Sequence, residues 1–517
     1  MKINLKNTYG IFGHLLPISK VRGSKNLKFI PVILLMVFSM IIFNSCKKFL
    51  TENLQGEFSS DTFYKTDKQA LQALTGVYNA ISFSSFNNAI WVFGDIASDD
   101  AVKGGNAGDQ AEIVYIDQFT ADASNGIISN YWQFCYEGIS RANNVISNVP
   151  GVAMDEALKS RIVGEAKFIR AYSYFNLVNV FGRVPLKLEP QLTSATIHVP
   201  LSEVSAIYQQ IETDLTDAAA VLPVSYDPAD LGHVTRGAAL AMLGKVSLYQ
   251  GKWAAAIDYF HQVEVLKIYG LLPKFADNFR LATKNGKESI FAIQHLSFPD
   301  NPFTGNGLNQ WFAPAGDGGY YFNAPTQSLV DAFEKSATGE VDPRLDASIG
   351  RDGQPWLNGD IFSGSWSPTG YLTKKHQQPL SEVSSTDKIK GGLSYIYLRY
   401  ADLLLMKAEA FNENGNADSA RANLNKVRQR ARKNFNGTPP ADLLADVTTL
   451  DKTVLATAIQ KERRVELAQE FHRYFDLMRW GKTVAETALG PNFNYETKRY
   501  FPIPQAETDA NQAIPKN

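Results

Sequence analysis

Three glutamates near the C-terminus, Glu462, Glu466 and Glu470, recur every four residues, with Arg463, Arg464, Arg473 and Arg479 interleaved. On one helical face, paired carboxylates of this kind could serve as the acid and base of a glycosidase. The same spacing suits a salt-bridged helix packed through Val465, Leu467 and Phe471, because Arg473, Asp476 and Arg479 are three apart and within pairing reach. Interleaved opposite charges usually mark pairing, so the segment is expected to be structural and no catalytic residue is assigned.

A second acidic group, Asp95, Asp99, Asp100, Asp109 and Glu112, surrounds Gly104-Gly105. It lacks the glycine and closing glutamate of an EF-hand loop, and the glycine pair lacks the lysine of a phosphate loop. The seven histidines are scattered, with no pair at zinc-ligand spacing. No cofactor and no metal are expected.

Aromatic residues offer a different chemistry. Trp311, Trp356 and Trp366 fall within residues 300–371, beside Phe312, Tyr320, Tyr321 and Tyr371. Flat rings stack on the C–H face of a sugar, and a tyrosine hydroxyl adds a hydrogen bond. The competing role is to anchor a loop-rich region, since large aromatics are usually buried. Trp311, Tyr320, Tyr321 and Trp366 are the ligand-binding candidates, because nearby glycines let the backbone approach a ligand.

The elements that must hold these residues begin after an export signal. Six basic residues and no acid lie in residues 1–45, although the formal net charge of the 517-residue chain is −1. The remainder is therefore acidic, which argues against nucleic-acid binding. The basic stretch ends at Lys28, an apolar run spans Phe29–Phe43, and Ser45-Cys46 follows. That run is too short to span a bilayer and suits a signal-peptide core. Residues 1–45 are read as a removed lipoprotein signal, with Cys46 as the lipidation site. The other cysteine, Cys135, then has no partner and sits among aromatics as a buried thiol.

Beyond a tether, much of the chain has helical period. Phe168, Ala171, Phe175 and Val178 form one stripe and Tyr174, Leu177 and Phe181 another, so this helix is packed on several sides. An internal repeat is also present. Leu240, Gly244, Trp253, Ala256, Phe260 and Val263 stand around Gly251 at the offsets of Leu404, Ala408, Ala417, Ala420, Leu424 and Val427 around Gly415. The pattern predicts helical hairpins of tetratricopeptide type, pairing 67–83 with 129–149, 157–181 with 203–222, 236–250 with 253–266, and 396–414 with 417–433. The expected fold is mainly α, a scaffold of such hairpins. A loop-rich, mixed-structure excursion at about 270–395 packs on it, within a single domain over 46–517.

Four segments taken in order resemble the SusD-like (RagB/SusD) family. They are Tyr131-Trp132 through Ile146, Gly164 through Phe175 with Phe181-Gly182-Arg183-Val184-Pro185, Leu398 through Ala410, and Glu462 through Gly481. Tyr500-Phe501-Pro502-Ile503-Pro504 also fits, whereas the last residues depart from the Gln-Asn ending common in the family. The resemblance implies a lipid-anchored protein of the outer membrane, facing the cell exterior. It implies binding of a glycan or other nutrient and delivery to a SusC-like TonB-dependent barrel. It also draws Asp99 and Asp100 into the candidate set, since family members place ligand contacts in the loop after the first helix. The rival functions are a surface glycoside hydrolase and a tetratricopeptide scaffold that binds only proteins.

Overall fold

Helix α1, Asp67–Asn79, starts behind a capping box in which Thr66 and Gln69 satisfy each other's backbone N–H groups. It packs against α2, Gly126–Asn148, and α3, Glu156–Phe181. Asp155 caps α3, and from Glu165 to Phe181 nearly every residue is buried, as two adjacent apolar stripes require. The third partner of α3 is α4, Val204–Val221. This computed structural model describes residues 63–190, 197–297 and 304–516. The signal segment, Cys46 and the tether lie outside the described residues.

The internal repeat folds as two helical hairpins. The first joins α5, Arg236–Tyr249, to α6, Trp253–Val265, and the second joins α7, Tyr400–Glu413, to α8, Ala417–Arg432. Gly251 and Gly415 make the turns at φ +69° and +81°, a conformation that costs other residues steric strain. Gly244 is small for a packing reason: a Cβ there would come within 2.3 Å of the Phe260 ring. One boundary differs from the sequence reading. Residues 396–399 are strand, not helix, and α7 begins only at Tyr400.

After these come α9, Lys452–Glu466, and α10, Arg473–Trp480. The strands among the described residues are β1 Ala101–Gly104, β2 Ser289–Ile293, β3 Phe322–Pro325, β4 Ile349–Arg351, β5 Tyr371–Thr373 and β6 Tyr395–Arg399. They pair antiparallel as β1–β3, β2–β6 and β4–β5. The excursion is therefore less irregular than its composition suggests, because buried loop backbone must find hydrogen-bond partners. Its two ends close on each other in the β2–β6 ladder. That ladder is seated on α3, where Phe291 packs edge-on against Phe168 with centroids 4.8 Å apart and Tyr397 against Tyr172 at 4.9 Å. The described residues form one compact unit.

Candidate functional site

The glutamates that suggested catalysis are locked in ion pairs. Glu466 accepts from Arg344 (2.8 Å), Arg399 (2.6 Å) and Arg430, and it has no exposed surface. Glu462 holds Arg344 (2.5 Å) and Arg428 (2.9 Å), while Glu470 holds Arg399 and Lys375, both at 2.7 Å. Burial alone would push the Glu466 carboxyl up, but the three guanidiniums hold it well below the usual carboxylate range. The three acids do not share one helical face, however. Helix α9 ends at Glu466, and Glu470 lies in the turn before α10, where Gln469 and Phe471 take positive φ. None of these carboxylates is free to move a proton to a ligand.

The second acidic group does not converge either. Asp99 receives Arg473 Nε (2.7 Å) and Arg464 Nη2 (2.9 Å), and Asp100 receives Arg464 Nε (2.7 Å). Burial pushes the Asp100 carboxyl up against the pull of Arg464. Their backbone carbonyls accept from Thr326, so this pair joins the start of the chain to its C-terminal helices and to the excursion. Asp95 is buried and accepts from the Asn323 amide and the Phe471 N–H, both at 3.0 Å. Glu112 accepts from the N–H of Gly126 (2.9 Å). Among the described residues, no group of three or more His, Cys, Asp or Glu side chains is placed to hold a metal ion. The side chains of Asp99 and Asp100 are thus paired with arginine.

Three of the four aromatic candidates are open to solvent, and one is not. Trp311 is only 3% exposed, with Phe86 edge-on at 4.7 Å and Trp91 at 6.3 Å, so it belongs to the core. It offers no face to a ligand, contrary to its expected role as an exposed ring. Tyr321 and Trp366 instead converge on a small cluster of Trp356, Phe362 and Leu372, both partly exposed. Trp366 stands edge-on to Phe362 (5.1 Å) and to Trp356 (6.3 Å). Tyr320 is 46% exposed and rests edge-on against Phe322.

Polar groups surround this aromatic corner. The Tyr321 hydroxyl donates to Asn106 Oδ1 (2.7 Å), which ties it to the loop after β1. That loop is folded over Lys103, whose ammonium donates to the carbonyls of Asn106 and Asp109 at 2.7 and 2.8 Å. Gly104 lets the loop pass: its φ is +66°, and a Cβ would come 2.2 Å from the Tyr321 carbonyl oxygen. Below the rings, Asp317 accepts from Trp356 Nε1 (3.2 Å) and Asn358 Nδ2 (3.1 Å). The sequence pointed to the rings but not to Asn106, Asp317 or Asn358, because single polar residues in loops carry no periodic signal. The glycine pair was the available hint, since adjacent glycines in a loop often admit a close backbone approach.

Comparison with known proteins gives this geometry a family. The SusD family model matches residues 287–499, and a model described as starch-binding, associating with outer membrane, matches residues 48–248. A solved laminarin-binding SusD-like protein is 30% identical, with 88% of this chain and 99% of that chain covered at a TM-score of 0.74. The chain belongs to the SusD family. SusD-like protein P25 of Formosa agariphila is 26% identical over 93% of this chain and 97% of its own length. Surface glycan-binding protein A of Bacteroides thetaiotaomicron, solved with laminarihexaose, shares the fold at a TM-score of 0.71, with 21% identity, covering 87% of this chain and 98% of that one. The relatives named for a ligand are glycan-binding proteins, and in this chain the glutamates that suggested catalysis are spent on arginine. The mainly helical, hairpin-built architecture read from the sequence is the SusD-like fold.

Proposed function

We propose that this SusD-like protein binds a glycan at the outer surface of the outer membrane and hands it to a SusC-like TonB-dependent barrel. The observation that carries the reading is the aromatic corner, where partly exposed Tyr321 and Trp366, with exposed Tyr320 preceding Tyr321 in the chain, lie beside amide, hydroxyl and carboxylate groups. Ring faces cover the apolar side of a sugar while the polar rim takes its hydroxyls. A neutral β-glucan is the ligand class favoured, because the laminarin-binding relative is 30% identical over nearly its whole length. A scaffold that binds only proteins has no comparable use for such a corner. The direct test is a panel of soluble glycan oligosaccharides titrated into the detergent-solubilised chain. Saturable binding of a β-glucan is expected, and no binding to any glycan in the panel would remove the reading.

The anchor in this reading is a lipid on Cys46, after cleavage at Ser45-Cys46. Cys46→Ala should shift the protein from the membrane fraction to an uncleaved or soluble form, as fractionation and mass spectrometry would show. Continued acylation and membrane recovery of the variant would place the anchor elsewhere.

A further inference from the structure

A cavity of about 370 Å³, remote in sequence from the aromatic corner, lies between the end of α3, the start of α4, the end of α5, α10 and the Tyr495–Tyr500 segment. Its walls include Arg479, Arg499, Tyr208, Tyr249, Tyr495 and Tyr500, and no Asp or Glu. A volume of this size falls within the range of roughly 300–1,000 Å³ seen for small-molecule sites.

The two arginines differ in state. Arg479 is neutralised by Glu409 and by Asp476 (2.7 Å). Arg499 forms no ion pair and donates no hydrogen bond among the described residues, and its buried Nε has no acceptor. Its guanidinium lies between the rings of Tyr495 and Tyr500, 5.1 and 5.0 Å from their centroids. Arg499 is partly exposed as a residue, but its Nε is buried without an acceptor, and a ligand oxygen in the cavity can supply one.

Arg499 is also held in place before any ligand arrives. Its carbonyl accepts from the Tyr474 hydroxyl (3.0 Å), and the next N–H, of Phe501, donates to Val180 (2.9 Å). Tyr495 is fixed by its hydroxyl on the Met478 carbonyl (2.9 Å). Tyr500, 37% exposed, lies over Gly182, where a Cβ would come 3.0 Å from its ring. The nearest acid on this segment, Glu496, faces Lys482 at 3.5 Å. A charge-unbalanced guanidinium, a half-exposed ring beside it and the Tyr208 hydroxyl, which donates to Asn179 Oδ1 over a long 3.4 Å and can turn to a better acceptor, fit an oxyanion carried on a ring.

We infer that this cavity is a second ligand site, one that takes an acidic sugar residue through its carboxylate or sulfate group, with Arg499 as the anion receptor. The site shares no residue with the aromatic corner and does not depend on it. The test is calorimetric or NMR titration of the detergent-solubilised full chain with glucuronate, with glucose 6-sulfate, and with glucose as the neutral control. Glucuronate or the sulfated sugar should bind at millimolar concentration and glucose should not; which of the two binds identifies the anion. Arg499→Gln should weaken that binding at least about tenfold, the loss expected for a hydrogen bond to a charged group. The melting temperature and neutral-glucan binding of this variant should be unchanged. Tyr208→Phe should weaken it several-fold, and Arg499→Lys should retain part of it. Equal binding of glucose, no binding of either anion, or full affinity in a folded Arg499→Gln protein would overturn the inference. Should Arg499→Gln fail to fold, unchanged affinity in both Arg499→Lys and Tyr208→Phe would overturn it as well.

Discussion

Glu466→Ala is expected to destabilise the protein by about 3–5 kcal/mol, the cost of removing one member of a buried ion-pair network. Three guanidiniums converge on this carboxylate, from Arg344, Arg399 and Arg430, each less than a tenth exposed. Each also has another acid: Asp342 and Glu462 for Arg344, Glu288 and Glu470 for Arg399, Glu288 for Arg430. Removing Glu466 leaves this cationic group short of one charge and without water to replace it. The network ties α8 and α9 to the excursion, the segment that also carries the aromatic corner. Denaturant unfolding of the variant measures the loss. Near-wild-type stability combined with lost glycan binding would show instead that Glu466 serves the ligand.

Acid should unfold the protein steeply below about pH 4.5, where ordinary carboxylates take up protons. Glu334, Asp402, Glu466, Glu470 and Asp476 all have folded values below their usual ones, Asp476 at about 2. In every case burial works upward and the paired cations pull further downward. The unfolded chain therefore binds protons first. The stability these groups provide is complete above the ordinary carboxylate range and is lost as pH falls through the folded values, each adding up to about 1.4 kcal/mol per pH unit. A milder loss starts higher. Burial lowers His295 and His376 to about 4 and His472 to about 3, so their contribution fades below about 6.5. Asp117, raised by burial to about 7, works in the opposite direction, as do Asp95, Asp100 and Asp214, which burial also raises, so the loss is partly offset. Urea unfolding followed from neutral pH to about pH 3 checks the sign. A midpoint that does not move across that range would contradict the assignment of these carboxylates as charged in the folded state.

The scaffold was legible because helix packing leaves a periodic trace. The stripes on α3 and the matched offsets around Gly251 and Gly415 record which side chains meet and where the chain must turn. The start of α7 was misread because Tyr395–Arg399 is apolar enough to continue the helical pattern, and only its partner β2, a hundred residues earlier, makes it a strand. The partners of Asp99 and Asp100 were hidden for the same reason: Arg464 and Arg473 come from the other end of the chain. The charged segment announced its pairing but not its depth, since spacing along one helix says nothing of arginines arriving from α8 and the excursion. Among the rings, composition could not separate Trp311 from Trp366. Burial separates them, and burial depends on the fold around each one.

The most direct test of the account is calorimetric titration of a neutral β-glucan oligosaccharide into the wild-type chain and into the Tyr320→Ala/Trp366→Ala double variant. Each lost ring contact is worth on the order of 1 kcal/mol, so the double variant should bind about tenfold more weakly or worse. Its helix content and melting temperature should be retained, because Tyr320 is 46% exposed and Trp366 is partly exposed at the edge of its cluster. Full affinity in a folded double variant would contradict the placement of the glycan at the aromatic corner.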